Sequence, residues 1–291
     1  MRIAVCLKQA PDSSSVYVDP ISGEVDRERF VQSLNAADAC ALEAALRLKE
    51  KVGGSILALT VGPEESEEVL RVALAMGADS VERLWHASAA DWGPLTIAAA
   101  LAARLRADSA LPELIFCGEA SSDWASGTVG PALAAYLGLP QITGVIGLEP
   151  LEEDGSLLLR LSRRLERGYR ERLLAKPPLL LTVHETLNEP RYPSLPAHLA
   201  ALQATIAVSN PLELLQFACA SEAEETTIVE VRTPRPRPHR IPIPDSQLSP
   251  FERIGAIITG GTARRQTRLV EGSAEELARE LVRFLRERGF A

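Results

Sequence analysis

Several common bases of function are missing from this chain. Its four cysteines, Cys6, Cys40, Cys117 and Cys219, lie far apart with no CxxC spacing, so they offer neither a thiolate metal cage nor a disulfide framework. The four histidines, His86, His184, His198 and His239, form no HExxH pattern, and no GxSxG elbow supplies a nucleophile. Aromatic residues make up only 4% of the chain, leaving few surfaces for stacking bases. No apolar run approaches the roughly 18 residues needed to span a bilayer, and the first residues run into Lys8 and Pro11 without a cleavage-like region. The chain therefore reads as soluble and cytoplasmic, with no membrane insertion. A net charge of −8 argues against general nucleic-acid binding while leaving a single nucleotide open. Binding or carrying is favoured over catalysis.

What is present is a long, well-patterned chain. Its 291 residues, 46% of them hydrophobic, are enough to bury a sizeable core. Apolar strand-like runs at 3–7, 55–61, 81–85 and 114–117 alternate with helical periodicity at 38–49, 64–76, 94–107 and 127–137. The acid-rich start Glu64, Glu65, Glu67, Glu68 suits a helix N-terminus. This alternation predicts an α/β fold with an open, mainly parallel, doubly wound sheet. After Ile142 the pattern changes: Leu157, Leu159 and Leu161 alternate with Arg160 and Ser162, and a turn at Arg167-Gly168 leads into a second such run, predicting added antiparallel strands. Another apolar run covers 179–183. A composition shift near 221–225 precedes a strand-like 227–231, the extended run 234–238, and helices at 250–258 and 273–288. The second of these opens with a capping box, Ser273 and Glu276, and closes at Gly289. The organisation expected is a domain over 1–205 and a C-terminal arm over 206–291.

Two segments carry chemical information. The loop between the strand at 114–117 and the following helix contains Asp123, Ser126, Gly127, Thr128, Val129, Gly130 and Pro131. It lies at the carboxyl end of a parallel strand, where open α/β sheets bind ligands. Its glycines leave backbone amides uncovered at a helix start, and the helix dipole favours an anion there, so a phosphate needs no lysine. Ordinary turn chemistry is the plain alternative. The second segment, LNEPRYPSLP at 187–196, has three prolines in seven residues. Proline fixes φ and biases the preceding residue toward extended geometry, so the segment is expected to be a shaped loop rather than helix or strand. Tyr192 and Leu195 on such a backbone can offer a partner an apolar anchor.

LNEPRY-x-x-LP resembles the recognition loop of the electron transfer flavoprotein β subunit family. The 123–131 loop is similar, without gaps, to the family segment D-G-D-T-A-Q-V-G-P, matching at Asp123, Ser126, Val129, Gly130 and Pro131 and departing at Trp124, Ala125, Gly127 and Thr128. VCLKQ at 5–9, SLNAAD at 33–38, VGP at 61–63 and ALAMGAD at 73–79 resemble the family in the same order, covering most of 1–205.

The resemblance implies an adenine-nucleotide-binding plan like that of universal stress proteins. It implies a nucleotide held by Gln9 and Ala10, by Asn35, Ala36, Ala37 and Asp38, by Val61, and by the loop residues Asp123, Ser126, Gly127, Thr128, Val129, Gly130 and Pro131. Taken alone, Asn35 reads as a helix cap, Val61 as core and Asp123 as a turn former. Family members hold AMP here as a structural ligand, or a second FAD when they bifurcate electrons. Asn35 with Asp38 leans toward FAD; Ala125 and Thr128 lean toward AMP, which is favoured. The redox-active FAD belongs mainly to the partner α subunit, so this chain is expected to be an electron carrier subunit and no enzyme. Its expected partners are that α subunit, flavin dehydrogenases of the acyl-CoA type docking at Tyr192 and Leu195, and a quinone-linked oxidoreductase. The rival is a stand-alone adenine-nucleotide sensor of universal-stress-protein type, which needs neither the arm nor the stiff loop.

Overall fold

Among the described residues nine strands line up side by side in one sheet, and the chain enters it at the middle. The computed structural model describes residues 1–19, 25, 30–153, 155–217, 248–258 and 272–287. Strand β1 (Arg2–Cys6) is followed by a two-stranded hairpin, β2 (Gln9–Pro11) and β3 (Gln32–Leu34), then helix α1 (Ala36–Val52). The alternation continues through β4 (Ser55–Val61), α2 (Glu67–Met76), β5 (Ser80–Leu84), α3 (Pro94–Arg106), β6 (Leu114–Gly118) and α4 (Val129–Leu137). Next come β7 (Gln141–Glu153), β8 (Ser156–Arg164), β9 (Arg170–Ala175) and β10 (Leu179–Val183). The last elements described before residue 218 are α5 (Leu195–Gln203), β11 (Ala207–Ser209) and α6 (Pro211–Phe217).

The strand order is β11-β5-β4-β1-β6-β10-β7-β8-β9. All pairs from β11 to β7 are parallel, while β7–β8 and β8–β9 are antiparallel. The mainly parallel sheet with added antiparallel strands is thus the expected one. Alternation along each strand feeds two cores. Ile3, Val5, Leu114 and Phe116 face α1 and α2, packing with Leu42, Leu46, Leu70 and Met76. Ala4, Cys6, Ile115 and Cys117 face the other way, against Leu101 and Leu105 of α3 and Leu133 of α4. Cys6 and Cys117 are buried core residues, as their apolar runs suggest.

Three expectations need correcting. First, residues 64–66 form a separate 3-10 turn before α2, and α4 begins at Val129 rather than 127. Second, the proline-rich segment is not irregular throughout, because Leu195 opens α5. Ser194 Oγ accepts from the Ala197 amide at 3.4 Å, and Pro196 sits in the first turn, where its missing N–H costs nothing. Third, the boundary at 205/206 shifts. Ala207–Ser209 pairs with β5 as the sheet's edge, α6 packs on α3, and the first compact unit runs to Thr233.

The second unit, 234–291, contributes α7 (Pro250–Ile258) and α8 (Ala274–Glu287). Ser249 and Ser273 cap them in the same way. Each serine amide donates to the carboxylate three residues on, Glu252 and Glu276, at 2.9 Å, which is the capping box expected at 273. Phe251 and Ile254 of α7 and Leu277, Leu281 and Val282 of α8 are exposed. The strand-like 227–231, the extended 234–238 and Gly289 lie outside the described residues.

Candidate functional site

The crossovers after β1 and β6 leave on opposite faces of the sheet, α1 to one side and α4 to the other. This opens a crevice at the carboxyl ends of β1 and β6, the switch point where doubly wound sheets take ligands. Asp38, in the first turn of α1, bridges it from within. One carboxylate oxygen accepts from the Gly118 amide at 2.8 Å and the other from the Lys8 amide at 2.9 Å, tying the ends of the two strands together. The residue is 6% exposed. Burial pushes its carboxyl up to about 7, against the hydrogen bonds from Asn35, Gly118 and Lys8 that hold it down.

Asn35 precedes Asp38 and grips the loop after β6. Its Nδ2 donates to the Ala120 carbonyl at 3.0 Å, and its Oδ1 accepts from the Ser122 amide at 3.3 Å. It is therefore a loop clamp rather than the side-chain helix cap read from sequence, and no side-chain cap bond forms at this helix start. Lys8 supplies a second tie. Its Nζ lies 2.6 and 2.7 Å from the two Asp123 oxygens and 3.3 Å from Ser121 Oγ. Burial alone would raise Asp123, but the bonds from Lys8, Ser121 and the Trp124 amide win and hold it below its ordinary value. Gln9 reaches the turn after β4, donating to the Glu65 carbonyl at 3.1 Å, with Ser66 Oγ 3.4 Å from its Oε1. Ala10 is buried beside it on β2, Ala36 and Ala37 share the first turn of α1, and Val61 ends β4 at the same rim.

Beyond Asp123 the loop changes character. Ala125 and Gly127 take positive φ, 49° and 59°, a conformation that suits the glycine and strains the alanine. Among the described residues no acceptor takes the amides of Gly127, Thr128, Val129 and Gly130, which lead into and open α4. Gly130 lets this helix end sit close on the sheet, since a Cβ there would lie 2.6 Å from Thr182 Cγ2. Half the loop is thus anchored by Asn35 and Lys8, and the other half presents free amides at a helix N-terminus. That arrangement fits an anionic phosphate. The described residues contain no metal-binding cluster of His, Cys, Asp and Glu.

The Asp38 carboxyl gives a measurable signature. Unfolded, it titrates near 3.8; folded, near 7. Between those values the folded chain keeps a proton that the unfolded chain has released, so this group's contribution to stability falls as pH rises from about 4 to 7 and is flat above. Asp38→Asn is expected to remove that slope. Unfolding free energies of both proteins at pH 5 and 7.5 check it: the difference between the two should shift with pH, and a constant difference contradicts the assignment.

Tyr192 and Leu195 lie apart from these residues. Tyr192 is 94% and Leu195 68% exposed. Leu195 is continued by the exposed Leu199 and Leu202 at i+4 and i+7, one apolar stripe along α5. The opposite side of α5 packs on α2, where Arg71 Nη1 donates to the carbonyls of Ala201, Leu202 and Ala204 at 2.8–3.0 Å. The residues leading into α5 are fixed to α1, with Asn188 Nδ2 donating to the Cys40 carbonyl at 2.9 Å. Sequence reasoning missed the Lys8–Asp123 pair and these anchors, since the partners are far apart in the chain.

The electron transfer flavoprotein domain family matches residues 23–213. The chain is 34% identical to the electron transfer flavoprotein subunit beta of Thermoanaerobacterium thermosaccharolyticum, over 93% of this chain and 97% of that one. It is 34% identical to the caffeyl-CoA reductase-Etf complex subunit CarD of Acetobacterium woodii, over 80% and 88%. It is 31% identical to protein FixA of Azorhizobium caulinodans, over 89% and 94%. No helix among the described residues is long and apolar enough to cross a membrane. With a domain match over 23–213 and a relative covered almost end to end, the chain belongs to the electron transfer flavoprotein β subunit family.

Proposed function

We propose that this chain is the scaffold and docking half of an electron-carrying heterodimer. An α subunit bears most of the FAD, this chain holds AMP at the β1/β6 crevice, and flavin dehydrogenases dock at Tyr192 and Leu195. The observation that carries the reading is an exposed apolar stripe mounted on an anchored element: Tyr192 is almost bare and Leu195 largely exposed, while the backbone beneath them is bonded to α1 and α2. A flexible loop with exposed apolar side chains lacks that preorganisation, and a stand-alone nucleotide sensor needs no such surface.

At the crevice, the amides of Gly127, Thr128, Val129 and Gly130 would take the phosphate, and Asp123 and Asn35 would keep the loop in place. Asp38 ties the strand ends beneath. The FAD supplies one-electron carrying between a dehydrogenase and a quinone-linked acceptor. This chain's part is to bring the donor close and keep the encounter specific. The exposed apolar residues of α7 and α8 support an arm that embraces the α subunit. The test is direct reduction: a purified heterodimer mixed with an acyl-CoA dehydrogenase and its substrate should lose its flavin absorbance within catalytic amounts of dehydrogenase. No bleaching with any flavin dehydrogenase tried would count against the carrier reading.

A further inference from the structure

One buried carboxylate lies directly beneath the docking element. Glu43, on α1, is 2% exposed and charged. Arg191, next to Tyr192, surrounds it: the Arg191 Nε donates to Oε2 at 2.7 Å, its backbone amide to the same oxygen at 3.2 Å, and its Nη2 to Oε1 at 3.2 Å. Arg47 Nε donates to Oε1 at 2.6 Å, and Arg47 Nη2 carries on to the Glu189 carbonyl at 2.9 Å. Arg191 Nη1 takes a further carboxylate, Glu50 Oε1, at 2.5 Å. Burial alone would raise the Glu43 carboxyl, but the arginine bonds outweigh it and hold it below the ordinary range.

The pattern follows one face of α1. Cys40, Glu43, Arg47 and Glu50 sit at i, i+3, i+7 and i+10, and each bonds a residue of the segment 185–191. A carboxylate enclosed in this way is costly to bury, and stability alone does not call for it, since apolar packing would do as well. What the forked arginine bonds provide is direction. Arg191 is the residue before Tyr192 and four before Leu195, so its fixed guanidinium and backbone amide set the angle at which both apolar groups leave the surface.

We propose that Glu43 is the positioning residue of the docking element: its carboxylate, shared between Arg191 and Arg47, fixes the pose in which Tyr192 and Leu195 meet a flavin dehydrogenase. The proposal rests on the docking reading of Leu195. Glu43 touches neither the partner nor the nucleotide loop, and its effect passes through Arg191.

The experiment is a double-mutant cycle on the heterodimer, with reduction by the dehydrogenase as readout. Glu43→Gln is expected to raise the KM for the dehydrogenase about fivefold, with kcat, FAD and nucleotide content unchanged, because only preorganisation is lost. In a Leu195→Ala background the same change should move KM little, since no anchor is left to misplace. A purely structural role would instead lower the melting temperature and alter KM equally in both backgrounds, or not at all, and that overturns the proposal. Should Glu43→Gln fail to fold, Arg191→Lys serves in its place, keeping the charge while losing the fork. If Leu195→Ala alone leaves KM unchanged, the docking reading fails, and the proposal with it. If Leu195→Ala raises KM and neither Glu43→Gln nor Arg191→Lys does, the proposal alone is wrong.

Discussion

Truncating Leu195 to alanine is expected to weaken docking of the dehydrogenase about 30-fold, the loss of about 2 kcal/mol that follows from removing most of a leucine from a partner's pocket. The melting temperature should not move. Leu195 is 68% exposed and stands at the first position of α5, whose anchoring depends on Ser194, Arg71 and the packing on α2 rather than on this side chain. Reduction rate at sub-saturating dehydrogenase and thermal unfolding, measured on the same variant, separate the two roles. A clear drop in melting temperature with an unchanged rate would mean that Leu195 packs the segment down and does not dock.

Replacing Ser126 with aspartate should strip the nucleotide from the complex. Ser126 is exposed beside the free amides of Gly127, Thr128, Val129 and Gly130, so a new carboxylate would stand near the proposed phosphate position. Charge repulsion there is on the order of 2 kcal/mol or more at an effective dielectric near ~20. Ser126→Ala should retain the ligand. Lys8→Ala should have a smaller effect than Ser126→Asp, because Lys8 bonds Asp123 and Ser121 rather than pointing at the amides. Chromatography of the denatured complexes reads the occupancy directly, and undiminished AMP in Ser126→Asp would remove the loop from the site.

Much of this fold could be read from the sequence where one residue period persists. The buried runs of β1, β4, β6 and β10 alternate between two cores, and their lengths mark them as strands. Reading failed where tertiary contacts overrule local chemistry. The full length of β7 was hidden by Gly144, Gly147 and Pro150, yet its pairing with β8 carries it through to Glu153. The three residues of β11 have no pattern of their own, and β5 makes them a strand. Prolines that read as breakers at 193 and 196 flank the start of α5 because Ser194 caps it. Of the residues proposed to hold a nucleotide, the 123–131 loop was visible as a strand-to-helix turn rich in glycine and serine. Asn35 and Asp38 were reached only through resemblance, since their partners stand 30 to 87 residues away. The pairing of Glu43 with Arg47 is local, but its tie to Arg191, 148 positions on, gave no signal in the sequence.

The most direct measurement is to isolate the chain with whatever it binds in its native host and to count what the complex contains. The account predicts an equimolar heterodimer with an electron transfer flavoprotein α subunit, carrying one FAD and one AMP. A stable monomer with neither an α subunit nor any adenine nucleotide would contradict it.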